Sequence, residues 1–258
     1  MIGDGRLVLV TGAASGIGEA CARALAQDGF RALATDIAPP PPERRHADCI
    51  YWDAPFDVSD PDLVAREIEA IEARHGPIDG CVHAAGVLGR MSPAEKLRAD
   101  VWRREIDVDL SGTFYVAQAV GRKMIARGRG AIVLVASITA TTTSSAHAYS
   151  AAKAGVASLT RTLASEWGRR GVRVNAVSPG FTRTQGLERA LQSGVMDEAR
   201  MAESSAMGRI VEAREVGAAA SFLICDRASA ITGANLPVDA GFLAGVTWDP
   251  YGRARSQA

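Results

Sequence analysis

Short β-branched runs alternate with longer stretches of helical periodicity along almost the whole chain, and this alternation restricts the fold more than any other feature. Strands are predicted over 7–11, 31–36, a weak one ending at Asp57, 78–84, 131–137, 172–178 and 236–238. Helices are predicted over 16–28, 61–75, 99–126, 149–167 and 213–225. Because a strand-helix-strand crossover is right-handed, the pattern builds a single α/β, Rossmann-type doubly wound parallel sheet of about seven strands with helices on both faces. Such sheets bind ligands in a crevice at the carboxyl ends of their strands, so chemistry is sought there.

The 258 residues fit one domain over 1–258, with no repeat or linker dividing them. Apolar residues make up 47% and charged residues 22%, ordinary globular usage that argues against disorder. Formal net charge is zero with no dense basic cluster, which excludes nucleic acid as a partner, and Arg44-Arg45 and Arg169-Arg170 read as solvated surface. No apolar run reaches the roughly 18 residues of a membrane span, and a strand rather than a basic leader follows Met1, so a cytoplasmic location is expected. Cys21, Cys49, Cys81 and Cys225 lie far apart without a Cys-x-x-Cys pair, and are expected to be reduced packing residues with no metal. Pro39-Pro40-Pro41-Pro42 reads as a stiff surface loop, or a ligand for a partner module. The stretch 181–209 has no clear strand and reads as a substrate lid, since loops of that length in compact domains are lids or binding loops.

Between the first strand and helix stands Thr11-Gly12-Ala13-Ala14-Ser15-Gly16-Ile17-Gly18. A pyrophosphate sits against backbone N–H groups at a helix start only where no side chain intervenes, which gives Gly12, Gly16 and Gly18 a physical purpose. Asp36 ends the second strand at the distance expected of a carboxylate that accepts hydrogen bonds from the adenosine ribose hydroxyls. A 2′-phosphate would meet like charge there, and none of Ala13, Ala14, Ser15 and Ile37 is basic, so NAD is favoured over NADP.

Tyr149 and Lys153 are four apart on one predicted helix and therefore share a face, where the ammonium favours the ionised phenol and makes it a usable base. Ser137, at the carboxyl end of the fifth strand, is placed to hydrogen-bond a substrate oxygen. A nucleotide site joined to this acid/base site points to hydride transfer.

Over nearly its full length the chain resembles the short-chain dehydrogenase/reductase family. The matching pieces are the 11–18 loop, Asp57-Val58, Ala84-Ala85-Gly86, Ser137, Tyr149, Lys153, the run Arg173-Val174-Asn175-Ala176-Val177-Ser178-Pro179-Gly180, and Ile231-Thr232-Gly233 leading to Val238-Asp239. The resemblance implies that the whole glycine loop, Ser15 and Ile17 included, binds the cofactor and that Asp57 and Val58 contact its adenine end. It also implies that Ala84, Ala85 and Gly86 belong to the cofactor site, that Lys153 bonds the nicotinamide ribose beside Tyr149, and that Pro179, Gly180 and Thr184 border the nicotinamide. A homotetramer, or less often a dimer, packed partly through the helices over 99–126 and 149–167 is implied as well.

The chain departs from the family pattern at several positions. His83 stands before Ala84-Ala85-Gly86 where the family has asparagine, altering the hydrogen bonding that steadies the central strand. Asp109 stands where the family places an asparagine whose backbone carbonyl helps hold a proton-relay water, so Asp109 is a candidate member of the catalytic set. The spacing from Ser137 to Tyr149 is one residue short, and Ala240 replaces a frequent glycine. His147 reads as a helix-entry surface residue or a polar contact at the substrate mouth, and His46 and His75 as solvent residues. Trp248 and Tyr251 either pack on the lid or a neighbouring subunit, or fray.

The activity implied is interconversion of a secondary alcohol and its ketone, with polyols, cyclic diols, hydroxysteroids and 3-oxoacyl thioesters as open substrate classes. A nucleotide-binding scaffold without useful turnover is the reading from another class. Phe181, Leu187, Leu191, Val195, Met196, Met201 and Met207 in the lid suit either a partly apolar pocket or core packing of a helical lid.

Overall fold

The computed structural model describes residues 3–88, 91–194 and 196–245. Val195, Trp248 and Tyr251 fall outside them. The chain runs β1 (Leu7–Thr11), α1 (Gly16–Gln27), β2 (Arg31–Thr35), β3 (Ile50–Tyr51), α2 (Pro61–His75), β4 (Ile78–His83), α3 (Ala99–Ile106) and α4 (Gly112–Arg127). It continues through β5 (Gly130–Val135), α5 (His147–Trp167), β6 (Val172–Pro179), β7 (Thr182–Arg183), α6 (Gln185–Gln192), α7 (Glu198–Glu203), β8 (Val211–Glu212), α8 (Ala213–Ile224) and β9 (Asn235–Val238).

Seven strands form one sheet in the order β3-β2-β1-β4-β5-β6-β9. Every pairing in it is parallel. This is the Rossmann-type doubly wound sheet expected from the alternation. Side chains alternate across its plane: Leu7 and Leu9 enter one core layer with residues of α2, α4 and α5, and Val8 and Val10 enter the other with residues of α1 and α8. Burying such a side chain contributes roughly 1.5–3 kcal/mol, so the two layers hold the sheet from both faces. Strand order reverses between β1 and β4, and the crevice beyond their carboxyl ends is where the loops after Thr11 and His83 face each other.

Local chemistry explains the element ends. Asp60 caps α2 by accepting from the Asp62 and Leu63 N–H groups, with Pro61 at the first helical position where no N–H is missed. Gly128, at φ +70°, ends α4 in the left-handed conformation that glycine adopts without strain.

Several expectations need correction. The third strand is only Ile50–Tyr51 and does not reach Asp57; Pro55 has no N–H to extend a ladder, and only Trp52 and Phe56 continue to bond toward the β2 side, to the carbonyls of Ala34 and Asp36. The helix predicted over 99–126 is interrupted at Asp107–Ser111 by a π turn, a local widening that apolar periodicity does not reveal. The stretch 181–209 contains α6 and α7, and β7 pairs with β8 in a small second sheet. The proline run stays a loop until Pro42 opens a short 3₁₀ turn. His46 is half-buried and bonds Glu19 on α1 at 2.8 Å, and is not a solvent residue.

Burial pushes the thiols of Cys21 and Cys81 up to about 12. Among the described residues no helix is long and apolar enough to cross a membrane, and no group of three His, Cys, Asp or Glu side chains is placed to hold a metal ion.

Candidate active site

The glycine loop folds as β1 hands over to α1. Gly12 and Gly16 take φ of +66° and +60°, where an L side chain is strained. A Cβ on Gly12 would lie 2.6 Å from the Ala85 backbone, and one on Gly18 would lie 2.1 Å from the Gly12 carbonyl oxygen. The loop therefore presents bare backbone to the start of α1, where the Ser15 side chain makes no capping bond. Asp36, just beyond β2, accepts from the Ala14 N–H at 3.0 Å through one oxygen and from the Ala38 N–H at 3.3 Å through the other.

A cleft of about 450 Å³ runs along these loops. Its walls include Gly12, Ser15, Gly16, Ile17, Gly18, Asp36, Asp57, Val58, Ala84, Ala85, Gly86, Tyr149, Lys153 and Thr184. Asp57 turns on itself, accepting from the Ser59 N–H at 2.9 Å and hydroxyl at 2.6 Å, and the hydroxyl bond holds its carboxyl below the usual range. A second cavity of about 290 Å³ adjoins the first and is lined by Ser137, Tyr149, Pro179, Gly180 and Thr184 among others. Tyr149 and Thr184 line both. A glycine turn packed too tightly for a Cβ, the uncapped N-terminus of α1 and a carboxylate at the far end suit an adenine dinucleotide.

Tyr149 and Lys153 are one turn apart on α5. The lysine is 4% exposed; its Nζ donates to the Val135 carbonyl at 2.9 Å and stands 5.4 Å from the Tyr149 ring centroid. Ser137 follows β5, and its Oγ accepts from the Thr139 N–H at 3.2 Å as a short 3₁₀ turn begins.

Asp109 lies in the π turn, fully buried and outside both cavity walls. Its Oδ1 accepts from the Val87 N–H at 2.7 Å and its Oδ2 has no partner. Burial pushes the carboxyl up to about 6, against the opposing pull of Lys153 and the Val87 N–H. A Cβ on Gly86 would sit 2.8 Å from Asp109 Oδ1 and 3.5 Å from Lys153 Nζ, so only glycine fits beside the pair. The Asp109 carbonyl accepts from the Thr113 hydroxyl at 2.7 Å.

Three further residues support the site without having stood out in the sequence. Thr11 Oγ1 accepts from the Ala85 N–H at 3.3 Å and lies within hydrogen-bond distance of His83 Nδ1, 2.8 Å away. Burial, with Lys153 nearby, pushes His83 down to about 3 and keeps the ring neutral. Ser178 Oγ lies 3.1 Å from the Ser137 carbonyl and fixes the start of the serine's turn against β6. Arg44, read as plain surface, is exposed but reaches the Ala14 carbonyl at 3.4 Å, next to Asp36. Only the spacing of strand ends hints at the first two, and nothing local marks Arg44.

A family model described as "Enoyl-(Acyl carrier protein) reductase" matches residues 12–243. D-threitol dehydrogenase of Mycolicibacterium smegmatis is 41% identical, the match covering 93% of each chain. Cis-4-hydroxycyclohexanecarboxylate dehydrogenase of Sinomonas cyclohexanicum is 40% identical, over 93% of this chain and 97% of the relative. A solved structure from Brucella melitensis 16M, described as a ribose-5-phosphate isomerase, is 42% identical with a TM-score of 0.90 and 96% of each chain covered. The chain belongs to the short-chain dehydrogenase/reductase family, a family of nicotinamide-dependent oxidoreductases.

Proposed function

We propose that this protein interconverts a secondary alcohol and its ketone with NAD(H), through Tyr149, Lys153 and Ser137. The observation that carries the reading is the position of Tyr149 at the seam of the two cavities, with the buried Lys153 ammonium 5.4 Å from its ring centroid. Relatives named for the dehydrogenation of hydroxylated substrates support the same chemistry.

In oxidation, the Tyr149 phenolate takes the substrate hydroxyl proton while the Ser137 hydroxyl donates to the substrate oxygen and orients it. Lys153, anchored on the Val135 carbonyl, stabilises the phenolate charge and serves the nicotinamide ribose. A bound dinucleotide supplies the acceptor for the hydride leaving the carbinol carbon. Gly12, Ser15, Gly16, Ile17 and Gly18 would seat the pyrophosphate at the α1 N-terminus. Asp57 and Val58 would border the adenine, and Ala84, Ala85, Gly86, Pro179, Gly180 and Thr184 the path to the nicotinamide. Asp36 would accept from both ribose hydroxyls, which a 2′-phosphate does not permit, and this favours NAD. In reduction Tyr149 returns the proton.

The reading extends to one cytoplasmic catalytic unit in which 181–209 acts as the substrate lid, assembled as a homotetramer or dimer. Trp102 on α3 and Phe114 on α4 are 41% and 37% exposed, apolar surface of the kind an interface covers. The deciding experiment compares wild type with Tyr149→Phe. Alcohol-dependent NADH formation is expected to fall roughly 10²–10⁴-fold, while calorimetric NAD affinity stays unchanged. Turnover near wild type would remove the acid/base assignment.

A further inference from the structure

The second cavity differs from the first in its chemistry. Charged side chains of Asp36, Asp57, Arg104 and Lys153 line the dinucleotide cleft, whereas among the described residues no Asp, Glu, Lys, Arg or His lines the substrate cavity. Its walls are hydrocarbon, supplied chiefly by Leu88, Met91, Ile138, Phe181, Leu187 and Met196. Leu88 and Met91 are 56% and 45% exposed, apolar surface that a hydrocarbon ligand at the mouth would cover.

The few hydroxyls in the wall are partly committed, and Ser144 and Thr184 keep their own protons to donate. Ser137 and Tyr149 serve the reacting oxygen. The Thr182 hydroxyl donates to the Gly180 carbonyl at 2.8 Å. The Ser144 and Thr184 oxygens accept from the N–H groups of Ala146 at 3.0 Å and Leu187 at 3.2 Å. The Thr139 Oγ1 is shut off from the cavity surface altogether.

The volume is also restrictive. About 290 Å³ is at the small end for a small-molecule site, and part of it lies against Pro179, Gly180 and Thr184, where the nicotinamide would rest.

Resting on the reading above, we infer that the substrate is an uncharged, compact secondary alcohol with a hydrocarbon body, of the size of a six-membered ring. A polyol would bring more hydroxyls than the Ser144 and Thr184 protons left in this wall satisfy, each unmatched one costing roughly 10²-fold in kcat/KM in an apolar pocket. A carboxylate or phosphate would lose its hydration against a wall whose described residues include no cation.

The inference is tested with purified full-length protein and NAD against cyclohexanol, threitol, galactitol and cis-4-hydroxycyclohexanecarboxylate, with ribose 5-phosphate isomerisation measured alongside. Cyclohexanol is expected to exceed each polyol and the carboxylate by at least roughly 10²-fold in kcat/KM, with no isomerisation. A second variant, Leu187→Arg, is expected to raise kcat/KM for the carboxylate relative to cyclohexanol by placing a cation in the wall. A polyol, the carboxylate or the sugar phosphate turned over within about tenfold of cyclohexanol would overturn the substrate class while leaving the Tyr149 chemistry in place. Absence of turnover on every alcohol, with NAD still bound, would overturn both.

Discussion

Asp109 is the residue whose chemistry depends most on its neighbours. Its carboxyl, with Glu105 adding to and Lys153 opposing the effect of burial, is raised to about 6. Above that pH it is an anion beside the lysine and offsets part of the ammonium's field at Tyr149. Asp109→Asn removes the anion, leaves the ammonium uncompensated, and is expected to shift the pH–rate profile for alcohol oxidation toward acid by roughly one pH unit. An unmoved profile would remove Asp109 from the catalytic set. The same substitution has a stability signature. The folded carboxyl keeps a proton that the unfolded chain releases, so this group's contribution to stability falls as pH rises from about 4 to about 6, and the variant loses that dependence in thermal melts. Ala240 makes a separate case, since it holds φ +52°, a conformation that crowds an L side chain. Ala240→Gly is expected to stabilise the protein by about 1 kcal/mol, read as a raised Tm; a lowered Tm would show that the turn tolerates the methyl. Asparagine-to-aspartate and glycine-to-alanine departures are visible in the sequence, but burial around Asp109 and the dihedral at Ala240 are not.

At the scale of elements, the nucleotide end is assembled by the turns after β1, β2 and β4. Asp36 is held by two N–H groups just after β2, and Arg44, in the same β2–β3 connection, donates to the Ala14 carbonyl. Asp36→Ala removes the like charge that a 2′-phosphate would meet and leaves Arg44 close by. The ratio of kcat/KM for NADP over NAD is expected to rise at least about tenfold; a ratio unchanged from wild type would show that Asp36 does not set cofactor choice. The strands and long helices were legible because their periods are local and buried faces repeat. The π turn was not, because its one-residue change of phase falls between two helical patterns that each read as helix on their own. The helices α6 and α7 are only eight and six residues long, too few turns for their periodicity to stand out in the sequence. Arg183 ties this region together across sequence, bonding Glu198 of α7 and Glu212 of β8, a connection that only folding reveals.

At the scale of the whole molecule, the sheet order brings the loops after β1, β4 and β5 to one edge and sets the two cavities side by side. The proposed assembly is tested at this scale too. Phe114→Glu puts a charge on an exposed apolar position of α4 and is expected to lower the mass measured by light scattering on size exclusion. An unchanged mass would place the subunit contact elsewhere. The amino-acid order by itself determined the layered α/β architecture, the glycine loop and the Tyr149–Lys153 pair, because strand and helix periods, backbone approach to phosphate and one-turn spacing are all short-range properties. Only the tertiary structure decided that the second cavity is small and has no charged side chain among its described residues, that Asp109 is buried against Gly86, and that Arg44 stands near Asp36. Volume, desolvation and field at a point are sums over residues far apart in the chain, and those sums exist only once the chain has packed.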